Sequence, residues 1–195
     1  MNTRNDLVHL ELRPPVTADG HPLNQLVAAS PPLDTNSVYC NLLQATHFAE
    51  TSVAACLDGE LVGHVSAYIP PSQPDTLFVW QVVVAEKARG MGLAKRMLRY
   101  LVDLPACTEL TAMTTTITRD NKASWALFNG LAREFGVAPS DAVLFKRDQH
   151  FAGQHDDEYL LRIAPLPQRE YKPTHFNIDE SRSGMRTPSS KRWID

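Results

Sequence analysis

The chain has no excess of positive charge. Its 19 Lys and Arg against 22 Asp and Glu leave a formal net charge of -3 over 195 residues. An electrostatic binder of nucleic acid shows a basic excess or a basic face, so no nucleic-acid partner is expected. Long apolar runs are missing too: none approaches the roughly 18 residues needed to cross a bilayer, and no membrane partner is expected. The opening Met-Asn-Thr-Arg-Asn-Asp has no apolar core of the kind a secretory leader needs. Cysteine is scarce: Cys40, Cys56 and Cys107 are scattered, odd in number and form no C-x-x-C pair. They read as reduced thiols of a cytoplasmic protein, not as a disulfide frame. No set of His, Cys and carboxylates has metal-ligand spacing, so no metal is expected. The chain has no internal repeat.

What the sequence does have is 43% hydrophobic residues, enough for one domain with a real core. Residues 7–13 alternate as a strand that Pro14-Pro15 stops. Asp19 is placed to cap a helix through Leu23, Leu26 and Val27, and a second short helix covers Ser37–His47. Asp58-Gly59, between apolar runs at 52–57 and 61–69, predicts a hairpin. His64, on its second strand, reads as a satisfied sheet residue. The β-branched run at 76–85 predicts a central strand buried on both faces. A helix at about 92–104 presents Leu93, Met97, Leu98 and Leu101 on one face, and a Thr-rich strand at 109–118 follows. The helix at 121–135 carries Ala123, Leu127 and Leu131 at four-residue spacing and ends at Gly136. Residues 143–146 and 159–163 read as two last strands. The order β-α-α-β-β-β-α-β-α-β-β describes a mixed sheet with helices on both sides, α/β or, on stricter definitions, α+β. Residues 1–167 form the expected domain, and the polar, Ser/Arg-rich stretch 168–195 is expected as a mobile tail.

The most informative segment is Val82-Val83-Val84-Ala85-Glu86-Lys87-Ala88-Arg89-Gly90-Met91-Gly92-Leu93-Ala94: a strand, a short loop, two glycines and a helix start. Glycine lets the backbone approach a ligand closely and adopt positive φ. The first-turn N–H groups of the helix then face an anion that the dipole also favours, and Arg89 adds a charge. A phosphate-bearing ligand is the natural reading. A P-loop needs Gly-x-x-x-x-Gly-Lys-Ser/Thr, which is absent. A dinucleotide fingerprint needs a small residue where Lys95 sits.

The remaining pattern, Arg89-Gly90-Met91-Gly92-Leu93-Ala94, closely resembles the pyrophosphate loop of the Gcn5-related N-acetyltransferases (GNAT). The segment Asn121-Lys122-Ala123-Ser124-Trp125-Ala126-Leu127-Phe128 is similar to a second motif of that superfamily. The resemblance spans roughly residues 7–165. It implies a GNAT-like, mostly antiparallel mixed sheet and acetyl-CoA as co-substrate. Residues 89–94 would hold the pyrophosphate, the backbone of Val82 and Val84 the pantetheine arm, and Asn121 would contact that arm. An N–H near Val82 would stabilise the oxyanion. Many members carry Tyr where Phe128 stands, as the acid for the departing thiolate; Phe has no such proton. A thiol with a pKa of about 8.5 is a passable leaving group near pH 7, the gap being about 2 kcal/mol. Phe128 therefore reads as core packing.

Acetyl transfer needs a neutral amine, while a free primary amine has a pKa of about 10, so a carboxylate, a His or a water relay must take its proton. The stretches 31–43, 78–84 and 114–121, the Leu-Arg-Pro-Pro opening and the His-Asp-Asp-Glu-Tyr at 155–159 look like the L-2,4-diaminobutyrate acetyltransferases of ectoine synthesis. The resemblance implies L-2,4-diaminobutyrate as the small-molecule substrate and a homodimer. Its ammonium groups call for carboxylates: Asp34 and Glu158 first, then His155 and Asp157, with Asn36 beside them. Each has a structural alternative. Asp34 is also placed to cap the following helix, Glu158 to sit exposed at a strand start, and His155 to lie in an open loop. Tyr39 either bonds the substrate or packs in the core, and Trp80 is a pocket wall or an ordinary core residue. The catalytic candidates are Val82, Glu158 and Tyr39. Another amine as acceptor, or a non-catalytic acyl-CoA sensor, are the competing readings.

Overall fold

A computed structural model describes residues 9–167. The expected element order is present, with one addition. Strands β1 (Leu10–Arg13), β2 (Val53–Leu57), β3 (Glu60–Tyr68), β4 (Thr76–Val84), β5 (Ala112–Thr118), β6 (Ser140–Phe145) and β7 (Glu158–Ile163) form one sheet. Helices α1 (Gly20–Ala28), α2 (Val38–Gln44), α3 (Leu93–Val102) and α4 (Lys122–Glu134) flank it, and a four-residue helix, α5 (Arg147–His150), joins β6 to β7. The sheet order is β1-β2-β3-β4-β5-β7-β6. Only β4 and β5 run parallel; every other neighbour pair is antiparallel. Among the described residues no helix is long and apolar enough to cross a membrane, and no group of His, Cys and carboxylates is arranged to hold a metal. The tail expected at 168–195 lies outside the described residues.

The hairpin at Asp58-Gly59 forms as expected, with φ of 50° and 85°, the left-handed pair a tight primed turn requires. Leu93, Met97, Leu98 and Leu101 of α3 pack with Phe128, Leu131 and Ala132 of α4 on one sheet face, while Leu23, Leu26 and Val27 of α1 cover the other. Full burial of a Leu of this kind contributes about 2 kcal/mol.

Three expectations fail, each for a physical reason. Asp19 does stand before α1, but its carboxylate caps nothing in that helix. It instead receives the Arg13 guanidinium at 2.6 and 2.9 Å and the Val16 N–H at 2.8 Å, because two charge-assisted bonds outweigh one cap. In α4 the buried face is Phe128, Leu131 and Ala132, and Ala123 is exposed. The first turn of that helix lies on the rim of a cleft, with no core beneath it. His64 is 1% exposed, yet its Nε2 has no hydrogen-bond partner among the described residues. Burial pushes its pKa down to about 4, so the ring is neutral at pH 7.

A fourth departure shapes the site. The run at 76–85 is not buried throughout: Trp80 is 44% exposed. The β4–β5 ladder covers only Thr76–Val79 against Ala112–Thr115, so past Val79 the two strands separate. On the other edge Ser66 pairs with Gln81 but Ala67 with Val79, which leaves Trp80 as the extra residue of a β-bulge. One extra residue inverts the alternation of side chains. Leu77 and Val79 face the α3–α4 core, and beyond the bulge it is Val82 and Val84 that do so. Val83 therefore turns to α1, and Gln81 turns with it.

Candidate active site

The strand separation opens a cleft of about 880 Å³. Into its wall the fold brings Asp34, Asn36, Trp80, Val82, Asn121, His155 and Glu158 from four separate stretches of chain. Tyr39 is not in the cleft wall; at 70% exposed on α2 it is not a core residue either. Trp80 is likewise no core residue, and stands at the bulge as a wall of the cleft. Phe128 is 3% exposed, packed in the core with one edge on the cleft, so its core role holds. Val84 is not in the cleft wall; it lies two residues beyond Val82, at the end of the strand that leads to the glycine turn.

That turn follows β4 through a short 3-10 segment, Glu86–Ala88. Gly90 and Gly92 have φ of 78° and 69°, and a Cβ placed on either would meet nothing within 4 Å. The left-handed backbone, not crowding, is what demands glycine there. Gly92 is the N-cap of α3, and the Arg96 N–H, on the Gly92 carbonyl at 3.1 Å, closes the first turn. The N–H groups before it have no intrahelical acceptor, an anion site in form. Leu93 is buried in the core and Met91 is half exposed, so Leu93 contributes backbone alone. The Arg89 Nε donates to the Val84 carbonyl at 3.3 Å, which ties the turn to the end of β4. Asn121 caps α4, its Oδ1 accepting from the Ser124 N–H at 3.1 Å.

Glu158 carries the strongest electrostatic signature in the cleft. Its Oε2 is buried and has no partner among the described residues. Burial, first, and the nearby Asp34 charge raise its pKa above the usual carboxylate value, against the opposing pull of His155 and the Thr116 hydroxyl. The His155 Nε2 lies 3.7 Å from the Glu158 Oε1, and its Nδ1 lies 2.8 Å from the Asp156 carbonyl. A carbonyl only accepts, so Nδ1 carries a proton. Nε2 then faces Glu158, across a gap longer than a hydrogen bond. The ring of Phe151 lies 4.7 Å from that of His155. Asp157 is used differently from the expectation: its carboxylate receives the Arg147 N–H at 2.6 Å, which ties the two ends of the β6–β7 excursion together. Asp34 is not the cap of α2. Ser37 takes that place, its Oγ accepting from the Cys40 N–H at 3.1 Å, and the Asp34 carboxylate is left to the cleft.

Sequence reasoning missed Gln81, Thr116 and Arg147, all on the cleft wall. Gln81 had a visible mark, as the one polar residue in the run Leu77–Ala85. Arg147 and Thr116 had none, since neither spacing nor periodicity sets them apart.

Comparison with known proteins agrees with this geometry. The model of the "Acetyltransferase (GNAT) family" matches residues 21–131. A protein of Methylotuvimicrobium alcaliphilum named L-2,4-diaminobutyric acid acetyltransferase is 51% identical over 80% of this chain and 91% of its own length. Its namesake in Halomonas elongata is 45% identical over 80% of this chain and 82% of its own. Among solved structures, the Paenibacillus lautus diaminobutyrate acetyltransferase, in complex with its substrate L-2,4-diaminobutyric acid and coenzyme A, superposes with a TM-score of 0.78 at 35% identity, covering 84% of this chain and 99% of that one. The Escherichia coli ribosomal-protein-S18-alanine N-acetyltransferase shares the fold, with a TM-score of 0.64 at 12% identity. With its splayed parallel strands, its left-handed glycine turn at a helix start and a family match over more than half its length, the chain belongs to the acetyltransferase (GNAT) family.

Proposed function

We infer that this chain transfers the acetyl group of acetyl-CoA to the γ-amino group of L-2,4-diaminobutyrate. The observation that carries the reading is the buried, unpartnered Glu158 Oε2 in the wall of a cleft that Asp34 shares. A buried carboxylate oxygen without a donor costs free energy, and an ammonium group supplies both a donor and the opposite charge. Relatives that carry the diaminobutyrate name at 38–51% identity support the same acceptor.

The residues present fit coenzyme A. The glycine turn offers unbonded helix N–H groups to a pyrophosphate, and the open edge of β4 at Val82 offers backbone to an extended amide chain as an added strand. When bound, acetyl-CoA supplies an activated acyl group. Everything else falls to the chain. Val82 is the proposed N–H donor at the thioester carbonyl, with Val84, Arg89 and Asn121 as further contacts to the cofactor. Asp34, Asn36 and Trp80 are the proposed acceptor wall. Glu158 is the proposed base: its raised pKa suits it to take a proton from an ammonium, with His155 3.7 Å from its other oxygen. Tyr39 lies on α2 outside the cleft wall, so a direct role at the acceptor would require a movement of α2 or a second copy.

The homodimer of the sequence reading is supported by Val143, Leu144 and Phe145, each 40–41% exposed on edge strand β6. A role in ectoine synthesis and a cytoplasmic location belong to the same proposal. Release of thiol from acetyl-CoA, followed across diaminobutyrate, ornithine, lysine and 1,3-diaminopropane, tests it, with NMR of the product to identify the acetylated nitrogen. Preference for another amine refutes the substrate. Tight cofactor binding with no thiol release from any amine refutes the enzyme.

A further inference from the structure

We propose that Gln81 is a positioning residue for the acceptor, acting through Asp34; the inference rests on the reading of Asp34 as an acceptor-binding carboxylate. Asp34 lies in the irregular connection between α1 and α2. Among the described residues no main-chain hydrogen bond ties residues 34–36 to one another or to the sheet: the Leu33 N–H reaches back to Ser30, and the next such bond is made by Asn41. A free connection of this kind would spread Asp34 over many positions, and ordering each residue costs about 1–2 kcal/mol.

Side-chain amides hold it instead. The Gln81 Nε2 donates to the Asp34 carbonyl at 3.2 Å, and the Gln81 Oε1 accepts from the Asn36 Nδ2 at 3.4 Å. On the far side the Asn24 Nδ2 donates to the Asn36 carbonyl at 2.8 Å and to the Asn41 Oδ1 at 2.9 Å. The Asn41 Nδ2 in turn donates to the Gln44 Oε1 at 2.8 Å, both of these residues being fully buried. The relay runs from β4 across the loop to α1 and α2, and Gln81 is its anchor on the sheet. The bulge at Trp80 makes this possible, because it turns residue 81 to the α1 side.

The chemistry requires a carboxamide. One side chain must donate and accept at once, and it must do so without charge. A Glu at 81 would lose the donor and add a third negative charge beside Asp34 and Glu158. A Lys or Arg would pair with the Asp34 carboxylate and compete with the substrate ammonium. The amide fixes the backbone of residues 34–36 and leaves the carboxylate unspent.

The test is a kinetic double-mutant cycle on the full chain with Gln81→Met, Asp34→Ala and the double variant. Gln81→Met is expected to raise the diaminobutyrate KM about tenfold, with the acetyl-CoA KM and the melting temperature close to wild type. In the Asp34→Ala background the same change should add less than about twofold. Gln81→Asn, which keeps the amide but falls one methylene short, should show the same non-additivity at smaller size and serves if the Met variant does not fold. Equal factors in the two backgrounds, or an unmoved diaminobutyrate KM in Gln81→Met, overturn the positioning role. If Asp34→Ala alone leaves the diaminobutyrate KM unchanged, the reading of Asp34 fails and this proposal fails with it, and that outcome is distinct from the first.

Discussion

The two halves of the site are built from different materials. The proposed donor side, residues 89–94, is made of backbone: two glycines at φ of 78° and 69° and the first-turn N–H groups of α3. Leu93 faces the core. The proposed acceptor side is made of side chains, with Asp34, Trp80, Gln81, His155 and Glu158 drawn from three distant segments into one cleft wall. A backbone site tolerates change in most side chains and depends on local dihedrals. A side-chain site depends on how distant segments are held, so its weak points include residues that touch no ligand.

The contrast can be broken or sharpened by experiment. The largest effect is expected from Glu158→Gln, which removes the proposed base: kcat should fall by about 100-fold or more, with the acetyl-CoA KM unmoved. The same change should raise the melting temperature at pH 7. Glu158 has a folded pKa above its unfolded one, so the fold binds the proton more tightly and ionising this group costs stability. A loss of cofactor affinity in this variant would break the separation of the two halves. For wild type, kcat/KM should fall on the acid side at a pH above the usual carboxylate range.

Next in size, Gly92→Val should raise the acetyl-CoA KM by tens of fold and leave the diaminobutyrate KM alone. It should also cost about 1–2 kcal/mol of stability from the left-handed backbone, read by denaturant melts. Asp34→Ala should do the reverse, raising the diaminobutyrate KM about tenfold with acetyl-CoA unaffected.

The smallest effect on activity is expected from His64→Leu, which touches neither half. An unfolded His takes up its proton near pH 6.5, whereas folded His64 resists until about pH 4. Its contribution to stability is therefore complete above pH 6.5 and is lost as pH falls through that window, by at most about 3 kcal/mol. The Leu variant should show a flatter acid limb in pH-dependent melting and acetylation within about twofold of wild type at pH 7. A large loss of turnover would tie the α1 face of the sheet to the chemistry.

The same division explains what the sequence could reveal. The glycine turn was legible because a backbone site must be contiguous in the chain, and positive φ leaves glycine as its trace. The element order was legible from periodicity, and α3 buries the four residues its spacing assigns. The acceptor wall was only half legible. Asp34 and Glu158 were reached by resemblance and charge, and of the two roles open to Asp34 the cap is taken by Ser37, three residues on. Asp157, a candidate by type, serves the loop through the Arg147 N–H. Gln81 escaped because its face depends on a bulge, and a bulge is a matter of pairing between strands that no single run of residues encodes. Tyr39 was weighed between substrate and core, and its exposure removes the core alone.

The extra residue at Trp80 has a consequence for how such a protein can diverge. Beyond it, odd and even positions of a single strand report to different constituencies: 82 and 84 to the α3–α4 core on the proposed cofactor side, 81 and 83 to the side of α1, which backs the proposed acceptor loop. A family with this parity is able to explore new acceptors at one set of positions while the other set is left untouched. Deleting one residue at 80 would exchange the two sets at a stroke. Point substitutions around Trp80 should therefore yield graded changes in amine preference, whereas single-residue deletions there should be lethal to both substrates together.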